Sequence, residues 1–148
     1  MQEFARMDDT DKQIIALLVD DGRSTYDAIA SSVSLSAPAV KRRVDRLRER
    51  GAIKGFTAVV DRAALGERTE ALIELFFAPG TQLDEVAATL ARHREVLEAW
   101  SVTGDADAIA RVHTEDNLDL ERLLRDLQRG GQVQRTRTQV VLSKLLPR

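Results

Sequence analysis

The 148-residue sequence predicts an α+β chain of two units: three helices and a strand, then a four-stranded sheet with two helices in the order β-α-β-β-α-β. Three observations lead there. Apolar residues recur at helical spacing as far as Gly51, then gather into strand-type runs from Glu70 onward. Turn formers punctuate the second part at Pro79-Gly80, Gly104-Asp105 and Gly130-Gly131. Charge divides with the pattern. Residues 1–62 hold 11 basic and 10 acidic groups, whereas residues 63–148 hold 11 basic and 14 acidic ones.

Each element has its own warrant. Residues 1–7 are expected to be a loose tail, with Met7 a second candidate start. Helix one, Asp8 to Leu18, opens on acids that suit a helix N-terminus and turns Ile14, Ile15 and Leu18 inward. Asp21-Gly22 stops it. Thr25 caps a short second helix with Ile29, Ala30 and Val33 inward, and Leu35 sits in a brief turn. Ser36 caps a third helix that tolerates Pro38 in its first turn and ends at Gly51. "AIKGFTAVV", Ala52 to Val60, reads as a strand. "DRAALG", Asp61 to Gly66, connects the halves. Strands are then expected at Glu70–Phe77, Val96–Thr103, Ala108–His113 and Val133–Leu146, with helices at Leu83–His93 and Asn117–Leu127. That order is a ferredoxin-like split βαβ arrangement. "GDAD", Gly104 to Asp107, is the turn between its second and third strands.

Composition narrows the setting. Apolar residues make up 43% of the chain and charged residues 31%, as in a soluble globule. There is no cysteine, which excludes disulfides and suits a reducing compartment. No apolar run approaches the ~20 residues of a membrane span. "MQEFAR" lacks the apolar stretch of a signal peptide. The expectation is a cytoplasmic protein without membrane contact.

The third helix stands out. Val40 to Arg50, "VKRRVDRLRER", carries Lys41, Arg42, Arg43, Arg46, Arg48 and Arg50 against only Asp45 and Glu49, in a chain of net charge −2. On a helical wheel Val40, Val44 and Leu47 share one face, with Arg42 and Arg46 opposite and Lys41 to one side. Three helices with a short turn before the last is the helix-turn-helix plan, in which the last helix enters the DNA major groove. Arginines there pair with guanine edges or contact phosphates. Ala52–Val60 fits a wing. A solvated amphipathic helix is the plainer alternative, but the lopsided charge and the third position in a trihelical unit weigh against it.

These residues resemble the Lrp/AsnC (feast/famine, leucine-responsive/asparagine-type) regulators. "DDTDKQIIALLVDDGRSTYDAIASSVSLSAPAVKRRVDRLRERGAIKGFTAVVD" resembles their winged helix-turn-helix. "SVTGDADAIARVHTED" and "GQVQRTRTQVVLSKL" resemble their effector-and-assembly domain. The resemblance runs from residue 8 to about 146. It implies a winged helix-turn-helix DNA-binding domain over residues 1–60, a linker over 61–66, and a ferredoxin-like effector-binding and oligomerisation domain over 67–148. The implied function is a sequence-specific, double-stranded-DNA-binding transcriptional regulator of amino-acid metabolism, cytoplasmic and nucleoid-associated when bound. It would act as a homodimer assembling into a tetramer or octamer. The DNA contacts expected are Ser36, Ala37, Ala39, Lys41, Arg42, Arg43 and Arg46.

The family binds an amino acid in its second domain, usually where protomers or dimers meet. The matching loop is Gly104, Asp105, Ala106 and Asp107, flanked by Thr136 and Thr138 on the last strand. Gly104 lets the backbone approach a ligand, and Asp105 or Asp107 suits an α-ammonium. Ala106 departs from the pattern, since many members carry an aromatic residue there. Read without the family, the same residues are a hairpin turn and two strand formers.

Other chemistry is weakly supported. His93 and His113 belong to no His/Asp/Glu cluster at ligand spacing, so no metal is expected. Trp100 reads as core or subunit contact. "GGQVQ" lacks the Lys-Ser/Thr of a phosphate loop. No nucleophile, base and acid fall at a workable spacing, so neither an enzyme nor a cofactor is expected. Two alternatives stay open: a broad architectural DNA binder, and an amino-acid-sensing or enzyme-regulatory module without DNA specificity.

Overall fold

A computed structural model describes residues 7–146 of the chain, and most of the expected loose tail therefore lies outside the described residues. The chain divides into two compact units, Met1–Val59 and Val60–Arg148.

The first unit is trihelical. Helix α1 spans Asp9–Asp20 and is capped by Asp8, whose side chain accepts from the Asp11 N–H at 2.7 Å. Helix α2 spans Tyr26–Val33, with Thr25 accepting from the Ala28 N–H. Helix α3 spans Ala37–Glu49, with Ser36 as its cap and Pro38 in its first turn, where a missing N–H is harmless. Both expected caps are present because each hydroxyl satisfies a donor that the first turn cannot pair. The turn from α2 to α3 passes through Ser34 in the left-handed region, at φ 54°. Ile14, Ile29, Ala30, Val40 and Val44 form the core, with Leu17, Leu18, Val33, Leu35 and Ile53 packed around it.

Ala52–Val60 does not form the expected strand. Its apolar side chains have no sheet to join: Phe56 and Val60 are half exposed and Val59 is 91% exposed. A strand needs a partner ladder, and β-propensity alone does not supply one.

The second unit follows a short 3-10 turn at Arg62–Leu65, capped by Asp61 and closed by Gly66 at φ 89°. Its elements are β1 (Thr69–Phe77), α4 (Leu83–Leu90), β2 (Val96–Ser101), β3 (Ala108–Thr114), α5 (Asn117–Arg129) and β4 (Val133–Val140). The sheet is antiparallel in the order β2-β3-β1-β4, as the ferredoxin-like reading requires. Alternation in β1 turns Ala71, Ile73 and Leu75 to the helices, where they meet Ala110 and Val112 of β3, Val86 and Leu90 of α4, and Leu120, Leu123 and Leu127 of α5.

Two strand ends differ from expectation. β2 stops at Ser101, and β4 stops at Val140 rather than Leu146. One further bond runs from the Val141 N–H to the Glu70 carbonyl, one residue from the start of β1, and the ladder ends there. Leu142, Leu145 and Leu146 consequently lie about nine-tenths exposed.

Candidate nucleic-acid interface and small-molecule cleft

Helix α3 buries Val40, Val44 and Leu47 almost completely, which fixes its rotation in the trihelical unit. The opposite side presents Lys41, Arg42, Arg46 and Arg48 to solvent. Ser36 and Ala39 share the capping bond at the helix start, and Ala37 packs against the core.

The basic side chains are not equivalent. Arg43 is committed inside the unit: its guanidinium lies 2.6 Å from Asp8 and 2.7 Å from Asp11. Asp11 is 3% exposed, so its charge requires that partner. Arg46 also reaches Asp11, but at 3.4 Å to both oxygens. Arg43, expected among the DNA contacts, is here paired with two carboxylates of the same unit. It is an α1–α3 clamp first, because a buried carboxylate competes for it. Lys41 is held by Asp45 at 2.6 Å along the helix, a solvent-exposed pair that salt screens readily. That bond holds the Lys41 ammonium above its ordinary range. Among the described residues, Arg42, Arg48 and Arg50 remain without an ion pair.

The clamp shifts its own members. The Arg43 hydrogen bond, followed by that from the Asp11 N–H, holds the Asp8 carboxyl below its usual value. The same bond to Asp8, followed by that to Asp11, holds Arg43 above its own.

In the second unit, a cleft of about 730 Å³ opens beside the loop after β2. Its walls are Ser101 at the end of β2, Val102, Thr103, Asp105 and Ala106 of the loop, Glu74 of β1, Ile109 of β3 and Arg137 of β4. That volume falls within the roughly 300–1,000 Å³ of small-molecule sites. Gly104 takes φ 122°, where a side chain would be strained, so the loop can turn tightly. Ala106 is buried and forms part of the wall.

The structure redistributes the expected small-molecule residues. Asp105 and Ala106 line the cleft. Asp107 is not one of the cleft's walls: its Oδ2 accepts from the Phe77 N–H at 2.8 Å, and its own N–H donates to the Leu75 carbonyl. It ties the loop to the end of β1. Thr138 lies opposite Ile73 and Thr136 opposite Leu75, so both threonines share the helix-facing side. Thr136 there accepts from Gln128 of α5. Arg137, between them, projects to the other face, where it meets Glu74 at 2.9 Å. Glu74 and Arg137 were missed from sequence, although period-two alternation beside Thr136 and Thr138 marks the Arg137 side.

On that same face, Arg111 bridges Glu70 and Glu98, and Arg135 stacks 3.8 Å from the centre of the Phe76 ring. His113 is buried and Trp100 is about half exposed. No helix among the described residues is long and apolar enough to cross a membrane.

Comparison with known proteins divides the chain in the same way. The model of the AsnC-type helix-turn-helix domain matches residues 7–48, and that of the Lrp/AsnC ligand binding domain matches residues 70–148. The HTH-type transcriptional regulator Rv2324 of Mycobacterium tuberculosis is 47% identical over 143 residues, 97% of each chain. The HTH-type transcriptional regulator FL11 of Pyrococcus horikoshii is 34% identical over 136 residues, 92% of this chain and 89% of that one. Among solved structures, the feast or famine regulatory protein Rv3291c of M. tuberculosis, complexed with L-methionine, superposes with a TM-score of 0.90. It is 30% identical and covers 96% of each chain.

Proposed function

Since the chain belongs to the Lrp/AsnC family of transcriptional regulators, we propose that it binds double-stranded DNA sequence-specifically through α3 and regulates amino-acid metabolism under an amino-acid-like effector. The observation that carries the reading is Arg42. It projects from the N-terminal half of a helix whose opposite face is sealed in the core, and among the described residues it has no acidic partner. A guanidinium so placed is available for a guanine edge. Arg46, held loosely by Asp11, is suited to exchange that carboxylate for a phosphate. Lys41 would do the same after releasing Asp45. Ser36, Ala37 and Ala39 form the start of the helix, whose positive dipole end suits a phosphate even with the Ala39 N–H held by Ser36.

The effector reading rests on the cleft bounded by Asp105 and Ala106, and on the L-methionine carried by the similar solved protein. The domain division follows the family: residues 1–60 for DNA, 61–66 as linker, 67–148 for effector and assembly. The working form is a homo-oligomer, because a single reading helix contacts one half-site. It acts in the cytoplasm, on the nucleoid.

The decisive experiment titrates operator and scrambled duplexes, at several salt concentrations, with wild type, Arg42→Ala, Arg46→Ala and the double variant. Arg42→Ala is expected to lose roughly 1–3 kcal/mol on the operator and to relax preference at one position. Arg46→Ala is expected to weaken both duplexes alike and to reduce the salt slope by about one. A folded double variant that binds both duplexes as wild type does would remove the DNA reading. Equal affinity of wild type for both duplexes would favour the architectural alternative.

A further inference from the structure

Building on the DNA-binding reading, we infer that Asp45 is a second base reader of α3, its carboxylate selecting a cytosine beside the base pair taken by Arg42.

Asp45 is an acid on a face that otherwise offers positive charge. Arg42 stands three residues before it, so the two side chains are neighbours on the helix surface. Three residues span about 4.5 Å along a helix axis and one base-pair step about 3.4 Å, so the two address adjacent pairs rather than one. Buried Val40, Val44 and Leu47 fix the rotation of the helix, and the Asp45 side chain keeps 40% of its surface in solvent. An uncompensated carboxylate there would be driven off by the phosphates that border a groove. Lys41 removes that penalty: its ammonium holds Oδ2 at 2.6 Å, which leaves the pair neutral. Oδ1 has no partner among the described residues and is open to a donor.

What a carboxylate accepts decides the base. When ionised it has lone pairs and no proton to give. Along the major groove guanine shows O6 and N7 and thymine shows O4, all acceptors, so both repel it. Adenine shows an amino donor beside the N7 acceptor. Cytosine shows its N4 amino group without an acceptor, and is the edge that a single oxygen prefers. Glu49 is the last residue of the helix, one turn further from the N-terminal end that this plan lays against base edges. Arg42 and Asp45 together read a guanine next to a cytosine, one by donating and the other by accepting.

The test is selection from a library of random duplexes by the full chain, followed by titration of defined duplexes in one buffer. Wild type should enrich guanine at one position of each half-site and cytosine at its neighbour. Replacing that cytosine by thymine, with its paired base, should weaken wild type roughly five- to hundredfold, the scale of one mismatched pair. Asp45→Asn keeps the size and adds an amide donor, which suits adenine N6 and N7, so the enriched base should change from cytosine to adenine. Asp45→Ala should lose all preference at that position and bind a scrambled duplex more tightly. A merely structural part in the Lys41 pair would instead weaken every duplex alike and leave the selected bases unchanged. Arg42→Ala should relax the guanine position and keep the cytosine one. A wild type that enriches guanine without a neighbouring cytosine, or folded Asp45 variants that select the wild-type bases, would overturn the inference and leave the DNA reading standing. A wild type that enriches no sequence would overturn both.

Discussion

Arg42 and Arg43 are chain neighbours with different work, and stability should separate them. Removing Arg43 strands Asp11, a carboxylate that is 3% exposed. Arg43→Ala should therefore lose roughly 1–3 kcal/mol in urea unfolding, limited by the nearby Arg46, while Arg42→Ala should stay within about 0.5 kcal/mol. The clamp also sets a pH dependence. Asp8 is held below its usual value by Arg43, so its contribution is complete above the ordinary carboxylate range and fades as pH falls through the lowered one. Arg43 is shifted upward, so its part is present below the usual arginine range and is lost only in strong alkali. Neutral pH sits on a plateau. Asp8→Asn should flatten the acid limb of stability below roughly pH 4, which unfolding midpoints at pH 3 to 7 would reveal. The Asp11 partnership had a trace in the sequence. Asp11, Ile14 and Leu18 follow helical spacing, so an acid sits on an otherwise apolar stripe. What the sequence withheld was its partner, 32 residues away.

Elements were legible where local chemistry decides them. Ser36 and Thr25 end their helices by satisfying one N–H each, so both starts could be read directly. Ser36→Ala should lower stability by about 1 kcal/mol, measured on the isolated equilibrium without DNA. The strands at Ala52–Val60 and Val141–Leu146 were overread for the opposite reason. Their composition is strand-like, but a ladder depends on what lies alongside, which no local window contains. The cleft loop combines both cases. Gly104 is visible as a turn residue, whereas the Asp107–Phe77 bond joins positions 30 apart. Asp107→Ala should therefore lower the stability of the ligand-free protein by about 0.5–1.5 kcal/mol, the net scale of one hydrogen bond open to solvent, read as a lower melting temperature. A melting curve unchanged from wild type would contradict the tie between the loop and β1. Thr136 and Thr138 were placed correctly on the last strand, but on the helix-facing side, since one residue of register exchanges the two faces.

At the scale of the whole chain, the two-unit α+β organisation and the basic third helix were readable from period and charge alone. Leu142, Leu145 and Leu146 leave a run of apolar side chains in solvent, and Trp100 adds to the exposed surface of the second unit. Such exposure is expected to be covered by another copy. Sedimentation at micromolar concentration should give a dimer or larger species, and a strict monomer with and without DNA would contradict it. The internal neutralisation of α3 has a further consequence for how such a protein would find its target. A chromosome offers on the order of 10⁶–10⁹ wrong sites, each an array of phosphates. With Arg43 and Lys41 occupied, three guanidinium groups stay unspent per helix and Arg46 is loosely held, equivalent to a salt slope of roughly −2.7 to −3.6 at about 0.9 per phosphate. Encounters with random sequence would then be brief, and the molecule would spend its time moving between sites rather than resting on them. Only where a sequence offers Arg42 a base edge, beside the phosphates taken by its neighbours, would the residence lengthen.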